Sequence, residues 1–527
     1  MSTPQDSLQQ SQTTSTEFSE STSLPVVPAQ QVVSRLFEDG YLVTSDVMKL
    51  VKQGLSYQTI KQLLTKAESA ASAAASRLVH SVTFDESHVA VNIVKSYVDS
   101  HKEVLVQDFV NHFHARLLKL SAILRRRSEL ENVTSINRIL QKTAQEKVSL
   151  IGLVREKSET KNGHISLTIE DKTGEIKVLV LKRDNKSEVY DIARNVVFDD
   201  VIGVLGSNTL KDGRKDGVIF ADSILYPEIP QGGEFKKCPD DVAVAFLGDL
   251  HIGSKHFLGD EFNDFLDWIN QKSPDPQKNA LAAKIRYIVA VGDIIEGAGI
   301  YPGQEEDLEM IDVKDQYKRA AELFAKIPKH IHVIVCPGNH DTMRLSEPQP
   351  PLSKEYAKDF VELPNVITVS SPSFINIHKY NEFPGFNILL YHGYSFFYYI
   401  NSVEEIRKVD GIKHIDTVME FLLRRRHLAP SHTSNLYLPD PDRDELVIET
   451  VPDFFASGHI HTLAARNYKN VTILNCSCFV NVTDYQKKQG MVPDLAKVPY
   501  VNLKTREVKI FDFLHEENQI KEIKGDS

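Results

Sequence analysis

The sequence predicts a multidomain α+β protein made of an N-terminal helical module, a five-stranded β-barrel and a C-terminal α/β domain. Three observations support this fold class. Apolar residues recur at helical spacing up to about residue 145, alternate with a period of two between about 147 and 228, and from 242 form short strands that end in polar residues. The chain has 527 residues, of which 41% are hydrophobic, so several cores of ordinary size can form.

Charge and hydropathy exclude several classes of protein. The formal net charge is -11, which argues against a protein that binds nucleic acid through a basic surface over the whole chain. Any DNA contact must therefore be local, or assisted by a partner or by metal ions. No apolar run reaches the ~18 residues that a membrane-spanning helix needs, and the N-terminus lacks the features of a signal peptide. The 4 cysteines form no zinc-type pair of pairs. We therefore expect no membrane partner and a reduced, cytoplasmic environment.

The N-terminal part is expected to contain little globular structure. Residues 1–30 are rich in Ser, Thr and Gln and predict a disordered tail. Residues 31–67 predict a small helical module, because Ser45 and Ser56 each precede apolar residues at helical spacing. Residues 68–146 predict a linker followed by a helical segment.

Residues 147–228 predict a β-barrel. The strand candidates are Val148 to Val154, Ile165 to Glu170, Ile176 to Leu181, Val201 to Leu205 and Val218 to Leu225. A helix is expected over 185–195, between the third and fourth strands, which is the plan of an OB-fold barrel. The second and third strands carry no aromatic side chain for base stacking, which favours a docking or structural barrel over one that reads nucleic acid. Residues 229–241 read as a linker, rich in Pro and Gly at its start.

Residues 242–515 predict the α/β domain, followed by a C-terminal tail over 516–527. Five of its apolar strands end in polar clusters, which are Gly248-Asp249-Leu250-His251, Gly292-Asp293, Pro337-Gly338-Asn339-His340-Asp341, Tyr391-His392-Gly393 and Gly458-His459-Ile460-His461. In α/β folds ligands bind beyond the carboxyl ends of the strands, so five such ends can meet at one site.

The residue types in these clusters indicate a two-metal site for phosphate chemistry. Two divalent ions held about 3.5 to 4 Å apart can activate a water molecule and stabilise the charge that develops on a phosphodiester. Imidazole and carboxylate together suit Mn, Zn, Fe or Ni better than Mg alone. The sequence Gly-Asn-His-Asp is expected by chance only about once per 10⁵ positions. The other histidines considered are interpreted as hydrogen-bonded surface or core side chains, and these are His256, His332, His378, His414, His427 and His432.

These clusters resemble the calcineurin-like metallophosphoesterase superfamily over about 242–515. That resemblance implies a two-sheet sandwich flanked by helices. The whole layout, together with residues 422–430 and the Val451-Pro452-Asp453 triplet, resembles the small-subunit family of the archaeal D-family DNA polymerases.

The resemblance implies roles for individual residues. It implies that one metal is held by Asp249, His251, Asp293 and His461 and the other by Asp293, Asn339, His392 and His459, with Asp293 bridging. It also implies that His340 stabilises the transition state or protonates the leaving oxygen, and that Asp341 orients His340 through a carboxylate-imidazole hydrogen bond.

The implied activity is that of a metal-dependent 3'-5' exonuclease that proofreads for a polymerase. Its metals are expected to be two Mn²⁺ ions, with Mg²⁺, Fe²⁺, Ni²⁺ and Zn²⁺ as alternatives. Its expected partners are a large catalytic subunit, DNA as a single strand or a primer 3' end, and other replication proteins through the helical module. The expected location is the archaeal cytoplasm, at the nucleoid. Two alternatives stay open, a non-catalytic structural subunit and a repair nuclease or phosphatase that acts alone.

Three charged segments have less specific interpretations. Arg344 follows the Gly-Asn-His-Asp sequence and is a candidate contact for substrate phosphate. The arginines at 424–426 fit either DNA phosphate contacts or an exposed helix end. The acidic residues within 305–309 are interpreted as a solvated loop rather than a third metal site.

Overall fold

The computed structural model describes two compact units, one before and one after residue 80. The described residues are 32, 35, 45–53, 55–63, 66, 86–99, 103–182, 188–209, 217–232, 235–482 and 492–515. The predicted tails at 1–30 and 516–527, and much of the predicted linker, lie outside them. No helix in the described ranges is long and apolar enough to cross a membrane. All four cysteines are free and buried.

The described residues of the first unit are mainly helical, in agreement with the predicted fold class. Helix α1 spans Ser45–Lys52, and residues 57–63 form a second helix. Their apolar faces bury Val51 and Ile60 in a small core. The Ser56 hydroxyl accepts a hydrogen bond of 3.2 Å from the backbone N–H three residues further on, which satisfies a free donor of the first helical turn.

The second unit contains the strands and the remaining helices. Its strands are β1 Val91–Ser96, β2 Lys147–Glu159, β3 Ile165–Asp171, β4 Gly174–Val180, β5 Val201–Asn208, β6 Val218–Leu225, β7 Ala243–Leu247, β8 Ile285–Val291, β9 His332–Cys336, β10 Val366–Thr368, β11 Ser373–Ile377, β12 Phe386–Leu390, β13 Phe454–Ser457, β14 Ala464–Tyr468, β15 Val471–Asn475, β16 Lys497–Asn502 and β17 Val508–Asp512. Its helices are α2 Val106–Leu124, α3 Ile136–Leu140, α4 Glu188–Asn195, α5 Gly259–Ile269, α6 Pro276–Ala282, α7 Val313–Phe324, α8 Lys354–Val361, α9 Phe396–Ser402, α10 Glu404–Lys408 and α11 Ile415–Arg425.

The predicted barrel is present and closed. Its strands follow the order β2-β3-β4-β6-β5, and β5 pairs back to β2. Helix α4 lies between the third and fourth barrel strands, as the OB-fold plan requires. Alternating side chains such as Leu167, Val178 and Val204 fill the interior, and Ile136 and Ile139 of α3 pack into the same core.

The C-terminal region, together with β1, forms two six-stranded sheets that pack face to face. The first sheet has the order β1-β11-β12-β13-β15-β14 and the second the order β10-β9-β8-β7-β16-β17. Phe246 and Val289 of the second sheet meet Ile388 and Phe454 of the first in a shared core. Helices α5 and α7 cover the outer face of the second sheet, and α9 and α11 cover that of the first. This is the predicted two-sheet sandwich flanked by helices.

Part of the segment predicted as linker and helix over 68–146 is a strand. β1 pairs antiparallel with β11, with Val91 opposite Ile377, and so forms the edge of the first sheet. Its β-branched residues favour a strand. Its partner β11 is distant in sequence, however, so the local sequence pattern cannot predict the pairing. The prediction was therefore wrong for this stretch, and the barrel is inserted between two parts of the sandwich.

Buried arginines at the end of α11 join the barrel to the sandwich. Arg425 is buried, and its Nε lies 3.1 Å from Asp200 of the barrel. It also donates hydrogen bonds of 2.7 Å to the carbonyl of Asn195 and 2.9 Å to the hydroxyl of Tyr226. Arg426 is buried too and donates to three backbone carbonyls. Both sequence interpretations, phosphate contact and exposed helix end, are therefore wrong for these two residues. Their guanidinium groups are buried and bind partners within the protein.

A second buried ionic cluster attaches α2 to the sandwich. Arg116 of α2 lies 2.6 Å from Asp444, and His427 lies 2.8 Å from the same carboxylate. The backbone N–H of Ala429 donates to His427 Nδ1 at 3.0 Å, so Nε2 carries the proton of the neutral ring and donates to Asp444. Burial, followed by the charge of Arg116, lowers the pKa of His427 to about 4.

We expect Arg425→Met to lower the free energy of unfolding by about 3–5 kcal/mol, because it leaves the carboxylate of Asp200 buried without its partner. Urea titration of the full chain measures this change. The matched control is Arg424→Met. Its side chain is 29% exposed and its ion pairs are 3.9 and 4.0 Å long, so we expect a loss of about 1 kcal/mol or less. Equal effects of the two variants would show that Arg425 does not hold the barrel in place.

We expect acid to weaken the attachment of α2 through His427. The folded-state pKa is depressed to about 4, so its contribution is complete above the unfolded value near 6.5 and is lost as the pH falls from there towards 4. The maximum loss is on the order of 3 kcal/mol. His427→Gln keeps the donor to Asp444 and the acceptor for Ala429 without titrating, so its unfolding free energy should vary less between pH 6.5 and 4. The exposed His414→Gln is the control, and an unchanged slope in His427→Gln would contradict the assignment.

Candidate metal centre

The carboxyl ends of strands from both sheets meet at one place. β7, β8 and β9 are parallel neighbours in the second sheet, and β12 and β13 are parallel neighbours in the first. The five polar clusters predicted from the sequence follow these five strands. Backbone hydrogen bonds tie the loops together, since the N–H of His251 donates to the carbonyl of Asp293 at 3.0 Å. The structure brings together all seven residues predicted as metal ligands.

The first group of donors consists of Asp249, His251 and His461. One ligand atom of each lies within 4.8 Å of the others, and all three side chains are buried. His461 Nε2 is 3.4 Å from Asp249 Oδ1 and 3.3 Å from His251 Nε2. Two imidazole nitrogens that face each other beside a carboxylate form a suitable site for a cation.

The second group consists of Asp293, His392 and His459, again within 4.8 Å of one another. His392 Nε2 lies 3.3 Å from Asp293 Oδ2 and 3.0 Å from Asn339 Oδ1, so the amide oxygen of Asn339 joins this group. Asp293 Oδ2 is also 3.8 Å from His251 Nε2 of the first group. Asp293 therefore lies between the two groups, in the position of a bridging ligand.

Three of the histidines at the centre are oriented through Nδ1. His251 Nδ1 lies 2.8 Å from the carboxylate of Glu296, His392 Nδ1 lies 2.8 Å from the carbonyl of Val291, and His340 Nδ1 lies 2.8 Å from the carbonyl of Glu296. Donation from Nδ1 in each ring makes Nε2 the nitrogen with the lone pair. For His251 and His392, an outer partner thus prepares Nε2 as a ligand.

The backbone at the centre is strained and tightly packed. Asp249, His251, Asp293, His459 and His461 all have positive φ, between 51° and 70°. Non-glycine residues in this region cost energy and concentrate at functional sites.

Two glycines permit the close approach of the loops. A Cβ at Gly338 would lie 2.2 Å from Asp293 Oδ1, and one at Gly458 would lie 2.4 Å from Asp249 Oδ2. The glycines beside the ligands are therefore required by close approach to the carboxylates.

The ionisable groups at the centre shift one another strongly. Burial alone would raise the pKa of Asp293, but His392 and His340 outweigh burial and hold that pKa well below its usual range. Burial opposes the charge on His392, yet Asp293 raises the pKa of His392 to about 9. Burial, followed by the charge of His392, lowers the pKa of His459 to about 3. A cation bound here would replace the proton that His392 holds.

His340 and Asp341 lie at the centre, but not in the predicted relation. The His340 N–H donates to Asp293 Oδ1 at 2.8 Å, while its ring is held by the carbonyl of Glu296. Asp341 instead accepts from the N–H of Gly338 at 2.9 Å and from the hydroxyl of Tyr317 at 3.0 Å. The expected carboxylate-imidazole hydrogen bond is therefore replaced, because the loop turns Asp341 inward to satisfy backbone donors. Burial, followed by the charge of Asp293, raises the pKa of Asp341 to about 6.

Glu296 is a site residue that the sequence analysis missed. It is buried, and its carboxylate accepts from His251 Nδ1 and from Gln304 Nε2 at 3.0 Å. Burial would raise the pKa of Glu296, but His251 lowers it below the ordinary value, so the carboxylate is charged. Its signal in the sequence is a glutamate three residues after Asp293, which local pattern alone does not distinguish from a surface acid.

Arg344 follows Asp341 by three residues but is already paired. Its Nη1 is 2.6 Å from Asp99, its Nη2 donates to the carbonyl of Pro348, and its guanidinium lies over the ring of Tyr97. A phosphate contact by Arg344 stays a prediction and would require competition with Asp99. Glu305 and Glu306 are exposed, as a solvated loop requires.

These residues fit two divalent cations. Their donors are imidazole nitrogens, carboxylate oxygens and one amide oxygen, which is the set that Mn²⁺, Fe²⁺, Ni²⁺ and Zn²⁺ share. The facing nitrogens of His251 and His461 and the central position of Asp293 support one ion in each group. This arrangement suits hydrolysis of a phosphate ester.

The fold and the donor set together are those of a metallophosphoesterase domain. Residues 242–463 match the family model of calcineurin-like phosphoesterases. The chain is 37% identical over 399 residues to the DNA polymerase II small subunit of Methanothermobacter thermautotrophicus, with 75% of this chain and 78% of that protein covered. It is 36% identical over 442 residues to that of Pyrococcus abyssi, with 82% and 68% covered. It is 36% identical over 408 residues to that of Thermoplasma acidophilum, with 77% and 78% covered.

The chain belongs to the family of DNA polymerase II small subunits. The resemblance to the small subunits of the archaeal D-family polymerases, inferred from the domain layout, residues 422–430 and the Val451-Pro452-Asp453 triplet, is thereby confirmed.

We expect Glu296→Gln to weaken Mn²⁺ binding about 10- to 100-fold, because the charged partner that orients His251 is lost. Isothermal titration of Mn²⁺ into the full chain measures the affinity directly. Glu305→Gln removes an exposed glutamate of the neighbouring loop and should leave Mn²⁺ affinity unchanged. If both variants bind Mn²⁺ like the unaltered chain, Glu296 does not support the metal centre.

Proposed function

We propose that this chain is the small subunit of a two-subunit DNA polymerase and that it carries the 3'-5' exonuclease that removes misincorporated nucleotides. Its substrate is the 3' end of a single strand or of a mismatched primer. The synthetic centre belongs to the large subunit. The domains proposed for this task are the helical module at 31–67, the barrel at 147–228 and the phosphoesterase at 242–515.

The observation that carries the proposal is the completeness of the donor set. Seven side chains capable of binding metal come from five strand ends, and Asp293 lies between the two groups. His340 lies beside them, with its ring 4.6 Å from that of His251, centroid to centroid. A purely structural subunit has no need to keep buried carboxylates and imidazoles in strained backbone at one place.

The residues have separable tasks in this chemistry. Two divalent ions held by the donor groups would supply an activated water and neutralise charge on the phosphate. Asp293 would hold both ions in fixed relation, and its second oxygen is kept in place by the N–H of His340. The ring of His340 is held through Nδ1, so its Nε2 is available to exchange a hydrogen bond or a proton with the scissile phosphate. We propose Mn²⁺ as the metal, with Mg²⁺, Fe²⁺, Ni²⁺ and Zn²⁺ as alternatives.

The acidic charge of the chain favours action together with a partner. A formal charge of -11 gives little general affinity for DNA, so we propose that the large subunit brings the DNA end to this centre. The attached barrel and helical module also favour a subunit over a phosphatase or repair nuclease that acts alone. The other alternative, a structural subunit, predicts bound metal without cleavage.

We expect His340→Ala to reduce exonuclease activity at least 100-fold while both metals stay bound, because His340 is near the donors but is not among the proposed ligands. The assay uses the complex with the large subunit, Mn²⁺ and a single strand labelled at its 5' end. Stepwise shortening of the label-bearing strand reports digestion from the 3' end, and EDTA should stop it. Metal content of the variant is measured by mass spectrometry.

The matched control is His515→Ala, which removes a surface histidine that pairs with Asp264. It should leave the rate of digestion unchanged. No shortening by the unaltered complex, with two metals bound, would favour the structural role. Loss of the 5' label as a single nucleotide would instead reverse the proposed polarity.

A further inference from the structure

A cavity lined mainly by aromatic side chains opens directly beside the metal centre. It has a volume of about 800 Å³, within the range of ligand sites. We call it the aromatic groove, and its defining side chains are Phe109, Tyr394, Phe397, Tyr398, His432 and Tyr437. The candidate ligand His459 lines the same cavity, so the groove and the metal centre are continuous.

The inner end of the groove is built around the candidate ligands. The chain turns at Gly393, directly after His392, and α9 then begins. Tyr394 and Phe397 are therefore close to the metal centre, and their rings lie 5.7 and 5.4 Å from the ring of His459. Both rings are partly exposed, so part of each ring faces the groove and is not buried in the core.

The outer end brings together residues far apart in sequence. Phe109 of α2 lies 6.0 Å from the ring of Tyr437 and 6.3 Å from that of His432. His432 Nδ1 and the Tyr437 hydroxyl are 2.8 Å apart. The Thr433 hydroxyl lies 3.2 Å from that of Tyr398, which links the two ends.

A buried glutamate fixes the outer wall in place. We call residues 431–438 the strap. It begins with a short 3₁₀ helix, His432–Ser434, and its residues 432–437 line the groove. The N–H of Glu347 donates to the carbonyl of Leu436 at 2.8 Å, and the N–H of Leu438 donates to the carbonyl of Glu347 at 2.9 Å. The Glu347 carboxylate also accepts from Asn435 in the strap and from the Tyr391 hydroxyl. The groove is thus held open before any ligand arrives.

The chemistry of the groove selects its occupant. No lysine or arginine is among its lining residues, so it is not a track for phosphates. Partly exposed aromatic rings are instead the surfaces on which unpaired bases stack, and this stacking tolerates any sequence. Paired bases in a duplex are already stacked on their neighbours and do not offer their faces.

We propose that the aromatic groove binds the unpaired bases at the end of a single DNA strand and places the adjoining phosphodiester at the metal centre. This inference rests on the proposed function, since it names how that site recognises its substrate. It makes unpairing of the strand end the condition for access. A mismatched end, which is already unpaired, then reaches the groove more easily than a paired one.

The test measures binding of the full chain, in the His340→Ala background with Mn²⁺, to a fluorescein-labelled oligothymidine. The variant Phe109→Leu/Tyr398→Leu keeps apolar bulk but removes two stacking faces that do not belong to the metal ligands. We expect it to bind the intact strand roughly 10- to 100-fold more weakly. Tyr356→Leu, an exposed aromatic residue on α8, is the control and should bind like the parent.

A second strand, with its last three nucleotides abasic, tests the same contact from the DNA side. The parent should bind this strand roughly 10- to 100-fold more weakly than the intact strand, while the double variant should bind both strands about equally. An equal loss in parent and variant, or no loss in either, would overturn the inference. If the double variant no longer binds the large subunit but keeps its affinity for DNA, the groove is a protein interface and the inference also fails.

Hydrolysis of bis(p-nitrophenyl) phosphate by the unaltered chain separates the two proposals. This small diester carries no nucleobase, but its two nitrophenyl rings can also stack, so its turnover is measured in Phe109→Leu/Tyr398→Leu as well. Equal turnover by both proteins shows that its cleavage reports the metal centre and not the groove. Absence of turnover would overturn the phosphoesterase role, and the binding measurements would still decide the role of the groove.

Discussion

The structure depends on one buried carboxylate, that of Asp293, placed where the carboxyl ends of strands from both sheets meet. It contacts the N–H of His340 and lies close to the imidazoles of His392 and His251, which come from three different strand ends. A carboxylate that is buried away from water requires such partners, so the loops that supply them must converge on Asp293. The positive φ angles and the glycines without room for a Cβ follow from that requirement.

The same convergence explains which parts could be predicted from the sequence. The five strands and their polar ends are visible locally, because each combines a short apolar run with glycine and a ligand type. The barrel could also be predicted locally, because its strands alternate apolar and polar residues and a helix is expected between its third and fourth strands. Glu296, by contrast, acquires its role only through contact with His251, 45 residues away in the chain. The edge strand β1 and the pairing of Arg425 with Asp200 also depend on distant partners.

Charge is distributed in the molecule in two distinct ways. At the joints between barrel, α2 and sandwich, arginines meet carboxylates in pairs that are internally satisfied, as with Arg116 and Asp444. At the metal centre, buried carboxylates instead face imidazoles whose nitrogens can bind metal. The first arrangement fixes the position of modules, and the second creates a demand for cations. Buried ionic residues are therefore informative only after their partners have been identified.

The position of β1 at the edge of the first sheet has a consequence for synthesis. Its partner β11 leaves the ribosome roughly 280 residues later, so at 5–20 residues per second β1 waits about 15 to 60 s for its place in the sheet. The barrel, whose strands are contiguous in the chain, can close during that interval. A barrel that forms early would hold α2 and β1 near the growing sandwich. If β1 were slow to join the sandwich, the edge of β11 would stay exposed to pairing with other chains.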